Sequence, residues 1–262
     1  MSIVIPTKDS ACTLEACLSS ITAQDYRNHE IIIVDCFSRD GTIAIAERFG
    51  AKIIQSSSGR SEARNLGFSV SQGPILLSID SDMLLEPSVL GEIASSMHGD
   101  GGLIIPEVGH GADFLSRCKD LEKRCYLGDP LVESVRAFTR DAFMAVGGYD
   151  PALIFGEDWD IHNRIISSFS IGRISSRMMH DTSNASLFSQ FRKAYLYGRT
   201  FPAYLAKGQP QARAMLDPKR IFFIRNFHKL KKEPLNAIGL FFIKGFEYAF
   251  GLVGFLSAKL GL

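Results

Sequence analysis

Leu77-Ser78-Ile79-Asp80-Ser81-Asp82-Met83 is an apolar run that stops at two carboxylates one residue apart. The residues from Pro74 onward read as a buried strand, which puts both acids at its C-terminal end, where open α/β sheets hold their ligands. Two carboxylates this close repel each other unless a cation lies between them. Hard oxygen ligands of this kind suit Mg2+ or Mn2+ bridging to phosphates. Taken alone, the tripeptide also reads as an acidic turn capping the next helix through Pro87.

Working outward, the same strand, loop and helix pattern repeats. Ile3-Val4-Ile5-Pro6 is a short strand, and Leu14, Cys17, Leu18 and Ile21 then recur at helical spacing. Glu30 to Asp35 is a second buried strand ending in an acid, and Asp40-Gly41-Thr42 turns the chain into a helix through Ala46 and Phe49. Lys52-Ile53-Ile54 is a third strand, Gly59 opens the helix that carries Arg60, Arg64 and Asn65, and Pro74 to Ile79 is the fourth strand. This alternation predicts an α/β fold with a mostly parallel central sheet and helices on both faces. Pro6, Asp35, Arg60 and Asp80 then share one rim of the sheet, beyond the strand C-termini. There an acid accepts hydrogen bonds from a nucleobase and arginines neutralise a pyrophosphate, although Asp35 alone reads equally as an Asx turn.

Composition narrows the class. The 262 residues are 46% hydrophobic, enough for one sizeable core and an appendage. The net charge of +1 hides a split: residues 1–181 carry 16 Lys and Arg against 25 Asp and Glu, whereas 182–262 carry 13 against 3. Five cysteines without a C-x-x-C pair indicate neither a disulfide framework nor a zinc site, and a reducing cytosol fits. The apolar opening, without a basic leader, reads as no secretory signal. No G-x-G-x-x-G follows the first strand and no P-loop occurs, so the phosphates must be held by metal and arginine.

Farther on, the spacing predicts a helix from Asp113 to Tyr126 and a strand near Ser134 to Phe138. Val146-Gly147-Gly148-Tyr149-Asp150-Pro151 then leads to Gly156-Glu157-Asp158-Trp159-Asp160. Acids in a first helical turn complement its dipole, and Asp160 has Arg164 four residues on as a partner. Three acids in four positions exceed what capping requires.

These residues, in this order, resemble the family 2 nucleotide-sugar glycosyltransferases of the GT-A fold: Pro6-Thr7, Val34-Asp35 with Ser38-Arg39-Asp40-Gly41-Thr42, Ala63-Arg64-Asn65-Leu66-Gly67, Asp80-Ser81-Asp82, Gly147-Gly148-Tyr149-Asp150 and Gly156-Glu157-Asp158. The resemblance covers roughly residues 2–200. It implies that Pro6, Thr7 and Asp35 contact the nucleobase and ribose, and that Arg60, Arg64 or Asn65 shape the nucleotide pocket. Asp80, Ser81 and Asp82 would be the D-x-D motif, with Asp82 and His180 as the ligands of Mg2+ or Mn2+. Asp158 would be the general base of an inverting transfer, beside Glu157 in the substrate site. Where relatives have Asp-Asp-Gly after the second strand, this chain has Asp35-Cys36-Phe37, which leaves uridine against guanosine open.

The chemistry stands without the resemblance. A leaving nucleoside diphosphate gains negative charge in the transition state, where a divalent cation stabilises it, while a carboxylate within about 3 Å of the acceptor hydroxyl removes its proton. The expected partners are a nucleoside-diphosphate sugar donor and a glycan or lipid-linked acceptor, with no nucleic acid. A polyprenyl-phosphate sugar synthase, whose acceptor is a lipid phosphate, is the alternative, and a sugar nucleotidyltransferase is a weaker one.

The tail is read as a separate extension, 1–215 being catalytic and 216–262 helical. From Ser183 through Lys232 eleven basic residues face one acid, and in the stretch from Leu235 to Leu262 18 of 28 residues are hydrophobic. Lys244 and Glu247 leave no uncharged run of the ~18 residues a spanning helix needs. The tail is therefore expected to lie on an anionic membrane surface at the cytoplasmic face, with Lys244 and Glu247 at the headgroups. A helix packed on the catalytic domain or on a second copy is the competing reading.

Overall fold

Ser2–Thr7 (β1) is the strand from which the main sheet extends in both directions. The computed structural model describes residues 1–183, 186–212 and 226–261. After β1 come α1 (Ala11–Thr22), β2 (Glu30–Asp35), α2 (Thr42–Arg48), β3 (Lys52–Gln55), α3 (Arg60–Ser69), β4 (Ile75–Ser78), β5 (Met83–Leu85), α4 (Val89–Ser96), β6 (Gly102–Ile104) and β7 (Glu107–His110). They are followed by α5 (Phe114–Tyr126), β8 (Val135–Thr139), α6 (Arg140–Ala145), α7 (Glu157–Ile166), β9 (Ile171–Arg173), β10 (Met178–Asp181), α8 (Leu187–Ala206), α9 (Phe227–Lys232) and α10 (Pro234–Leu260).

The expected α/β class is the observed one. The chain forms two compact units, the first comprising Met1–Glu107, Ser134–Pro151 and Glu157–Asp181, the second Val108–Glu133, Ala152–Gly156 and Thr182–Leu262. The expected boundary at 215/216 lies outside the described residues.

In the first unit the strand order is β3-β2-β1-β4-β8-β6-β9. β1, β2, β3 and β4 run parallel, and β8 is antiparallel to both β4 and β6. Alternation sorts the strand side chains onto two faces: Ile3, Ile5, Ile31 and Ile33 join Leu14, Leu18, Leu90 and Ile93 in one core, while Val4, Ile32 and Val34 join Phe68, Phe143, Ile161 and Ile165 in the other. Each such burial contributes about 1.5–3 kcal/mol. α3 lies so close to β1 that a Cβ at Gly67 would overlap the Val4 side chain, so glycine there sets the helix-to-sheet distance.

β1 and β4 pair only from Ser2↔Leu76 to Val4↔Ser78, whereas β1 and β2 stay paired through Thr7↔Asp35. A crevice thus opens between β1 and β4 at their C-terminal ends, where the strand order reverses, and this is the usual ligand position of open α/β sheets. Pro6 sits where β1 has already left β4, so its missing N–H costs no ladder bond on that side.

In the second unit, α8 and α10 touch backbone to backbone. A Cβ at Gly198 or Gly254 would collide with the Gly251 or Tyr195 carbonyl oxygen. Phe191 stacks on Phe246 and Phe250 with ring centroids 5.3 and 5.1 Å apart, and Leu240 and Ile243 of α10 pack with Cys118 and Leu121 of α5. By length and composition α10 is apolar enough to cross a membrane. Lys244 and Glu247 do not stand at its outer side, contrary to expectation. Lys244 Nζ lies 2.5 Å from Glu122 and 2.7 Å from Glu247, and Lys119 pairs with both glutamates. Burial favours a neutral Lys244, but the two glutamates outweigh it and hold the ammonium well above its ordinary range.

Candidate active site

All polar groups of the site described here belong to the first unit. Asp80 and Asp82 follow β4 as expected, in a turn closed by Met83 N–H donating to the Asp80 carbonyl at 3.1 Å. β5 leaves this turn and pairs antiparallel with β10, His180 standing opposite Met83. That register brings His180 Nε2 to 2.9 Å from Asp82 Oδ2, and Asp181 N–H donates to the Asp82 carbonyl at 2.7 Å. The remaining polar atoms of the pair, Asp82 Oδ1 and His180 Nδ1, are buried without a hydrogen-bond partner.

Among the described residues no group of three or more His, Cys, Asp and Glu side chains is gathered as a metal cage. One carboxylate and one imidazole, with an orphaned carboxylate oxygen, nevertheless fit Mg2+ or Mn2+ as such ions are held beside substrate phosphates, where waters and the phosphates complete the shell. Ser81 Oγ donates to Ser10 Oγ at 3.1 Å, tying the motif to the start of α1.

Arg64 organises the other half. It enters from α3, is fully buried, and reaches three acids: Nη2 lies 2.8 Å from Asp80 Oδ1, and Nη1 lies 3.0 Å from Asp158 Oδ1 and 3.4 Å from Glu157 Oε1. Its guanidinium also covers the Tyr149 ring at 5.0 Å. Arg60, one turn earlier and partly exposed, lies 3.3 Å from Glu157 Oε1.

The Gly147-Gly148 turn explains the ring beneath Arg64. Both glycines have positive φ, 77° and 68°, which lets the chain reverse after α6 and send Tyr149 inward. Asn65 fixes that entry, accepting from Tyr149 N–H at 2.9 Å and donating to its carbonyl at 2.7 Å. Asn65 therefore supports Arg64 indirectly.

Arg136 was not singled out from the sequence, nor was Glu107. Arg136 Nη1 lies 2.9 Å from Asp158 Oδ2, while Nη2 and Nε hold Glu107 Oε1 at 2.8 and 2.9 Å. The available signal was a lone arginine in an otherwise apolar strand, Val135-Arg136-Ala137-Phe138.

Charge sets the protonation of this cluster. Burial raises the Asp80 carboxyl, but Arg64, Arg60 and Arg136 outweigh it and leave it well below the usual carboxylate range. Glu157 goes the other way: burial and the charge of Asp158 raise it despite Arg64 and Arg60. Burial also pushes the Tyr149 hydroxyl up to about 12, which keeps it neutral.

At the end of β2 Asp35 is completely buried. Its carboxylate accepts from Thr7 Oγ1 at 2.9 Å, Ser38 N–H at 2.8 Å and Ser38 Oγ at 2.5 Å, so the Asx turn is realised. Thr7 is buried with it, and Pro6 is half-buried beside them.

A parallel-centred sheet with an acidic motif at its switch point and an acidic helix start facing it defines the GT-A class of folds. The mannosyltransferase PcManGT of Pyrobaculum calidifontis, solved with GDP-Man and Mn2+, shares this fold at a TM-score of 0.61 and 16% identity, over 98% of this chain and 86% of its own. Residues 2–125, a little under half of the chain, match the family model of Glycosyl transferase family 2. The chain is similar to the PGL/p-HBAD biosynthesis glycosyltransferase of Mycobacterium bovis, 29% identical over 191 residues that cover 68% of this chain and 73% of that protein. It is also similar to the glycosyltransferase AglE of Haloferax volcanii, 32% identical over 110 residues, or 38% of this chain; the match spans about a third, 36%, of AglE.

Proposed function

We propose that the chain transfers a sugar from a nucleoside-diphosphate sugar to an acceptor hydroxyl with inversion at the anomeric carbon. The observation that carries this is the assembly on one sheet rim of Asp80 and Asp158, tied together through buried Arg64, with the Asp82–His180 pair in the same acidic turn as Asp80. Thr7, Asp35 and Pro6 build the nucleobase and ribose end, and Arg60, the more exposed of the two arginines, faces the donor phosphates. Asp82 and His180 hold Mg2+ or Mn2+, which when bound neutralises charge on the departing diphosphate. Asp158 accepts the acceptor's proton as the new bond forms. Arg64 and Arg136 hold one oxygen each, fixing the plane of its carboxylate. Glu157 lies beside it in the substrate site.

The acceptor is placed on a lipid-linked or surface glycan. What supports this is α10, whose residues Leu235, Ile238, Phe242, Val253, Leu256 and Leu260 are exposed at helical spacing, with Lys229, Lys231 and Lys232 at the end of α9 just before it. Since the two charges of mid-α10 are spent on α5, the helix stays docked and lies in the plane of an anionic leaflet at the cytoplasmic face. The same apolar face keeps a polyprenyl phosphate open as the acceptor, and a second copy of the chain open as its cover.

The test is thermal-shift screening of nucleoside diphosphates with and without Mn2+. Stabilisation by one nucleotide, larger with Mn2+, is expected. No response to any nucleoside diphosphate overturns the donor reading, and release of pyrophosphate from a nucleoside triphosphate would make the chain a nucleotidyltransferase instead.

A further inference from the structure

Among the described residues two that are not glycine have a left-handed backbone, Asp9 at φ 47° and Phe37 at φ 52°. They belong to the loops after β1 and β2, which are laced together. Asp9 N–H donates to Ser38 Oγ at 2.7 Å, Arg39 N–H donates to Asp9 Oδ1 at 2.8 Å, and Lys8 Nζ donates to the carbonyls of Cys36 and Phe37 at 2.6 and 2.9 Å. An Asp tolerates this conformation through local hydrogen bonds of its short side chain, as Asp9 does. A phenylalanine does not, and a bulky residue there is a genuine outlier.

Phe37 is costly a second time. The residue is 52% exposed and, among the described residues, its ring stacks on no other ring. A glycine would relieve the backbone and remove apolar surface from water, so folding does not explain the residue. Strain maintained by a surrounding lattice of bonds points to function. Asp35, the obvious polar group of this loop, is meanwhile fully buried and occupied by Thr7 and Ser38. What the loop offers to a ligand at the end of β2, one strand from the crevice, is an aromatic face.

We propose that the Phe37 ring is the platform on which the nucleobase of the donor stacks, which rests on the nucleotide-sugar reading above. A flat aromatic accepts any base through its π face, so the platform adds affinity for pyrimidines and purines alike. It leaves the choice between them to edge contacts.

The experiment is titration calorimetry of UDP, GDP and inorganic pyrophosphate, each with Mn2+, against the full chain and its F37A, F37Y and F37G variants. F37A is expected to weaken UDP and GDP roughly tenfold, as loss of one base–aromatic stack does. Pyrophosphate should stay within about twofold, because its contacts lie elsewhere. F37Y should retain wild-type affinity, and F37G should bind like F37A while melting at a higher temperature, since its backbone is relieved. Wild-type affinity in F37A, equal loss of pyrophosphate binding, or failure of F37Y to retain affinity overturns the proposal. If F37A does not fold, the comparison of F37G with F37Y decides by the same criteria. A wild-type chain that binds pyrophosphate but neither nucleotide refutes the stacking role and the nucleotide-sugar reading together. Wild-type nucleotide binding without an effect of Phe37 refutes the stacking role alone.

Discussion

Arg136 and Asp158 meet across the site at 2.9 Å, one from the second position of the buried strand β8 and the other from the first turn of α7. Because Arg64 takes the second carboxylate oxygen at 3.0 Å, Asp158 is held in one plane by two guanidinium groups that are themselves fixed by Glu107, Asp80 and Glu157. A carboxylate that must receive a proton from an approaching hydroxyl needs such an orientation, since a displacement of about 1 Å can cost a hundredfold in rate.

Replacing Asp158 with Asn keeps the shape and removes the basic site. Transfer should fall by about 10²–10⁴, while affinity for the donor nucleotide changes little. Turnover within a few-fold of wild type would move the base to Glu157.

Arg64 is surrounded by three acids and has no access to water. Arg64→Met should take a cation from all three acids, leaving Arg136 on Asp158 and Arg60 on Glu157, and cost about 3–5 kcal/mol, read as a lowered urea midpoint. A midpoint close to that of wild type would mean that the carboxylates find other partners.

Glu157 gives a pH prediction whose sign follows from its raised pKa. The folded state binds this proton more tightly than the unfolded state, so the group's contribution to stability is complete below its ordinary value of 4.5 and is lost as pH rises through the folded value. Glu157→Gln is uncharged throughout. Its melting temperature relative to wild type should therefore rise between pH 4 and pH 8, and a flat difference would contradict the burial argument.

The Asp82–His180 pair predicts shared loss of metal response. Asp82→Ala and His180→Ala should each abolish the Mn2+-dependent part of nucleotide binding, at a loss of stability no larger than that of the one partly exposed hydrogen bond between them, about 0.5–1.5 kcal/mol. Retention of the full Mn2+ effect in either variant removes that residue from the metal site.

For the membrane, the full chain should float with vesicles containing anionic lipid and lose that association in Ile238→Asp and Val253→Asp, both on the exposed face of α10. High salt should weaken it partially, since the basic residues contribute about 1 kcal/mol each and the apolar face is unscreened. If the substitutions convert a dimer to a monomer without affecting flotation, a second copy covers that face.

The sequence by itself determined the sheet, the rim and the acids on it. Strands of unbroken apolar residues, helices of regular spacing and the positions of Asp80, Asp82 and Asp158 all follow from local patterns with short periods. A charged pair within one helix, Asp160 with Arg164, is also legible from its spacing, whereas the partners of the long-range charged groups were decided by the tertiary structure. That Arg64 turns inward and pairs with acids 16 to 94 positions away, that Arg136 and Glu107 belong with Asp158, and that Lys244 and Glu247 face α5 instead of a headgroup region are consequences of long-range packing. His180 meets Asp82 through the register of β5 and β10, strands of three and four residues. Strands that short are below the length at which periodicity carries a signal, and the energy of a charge depends on its neighbours in space, which a linear pattern does not contain.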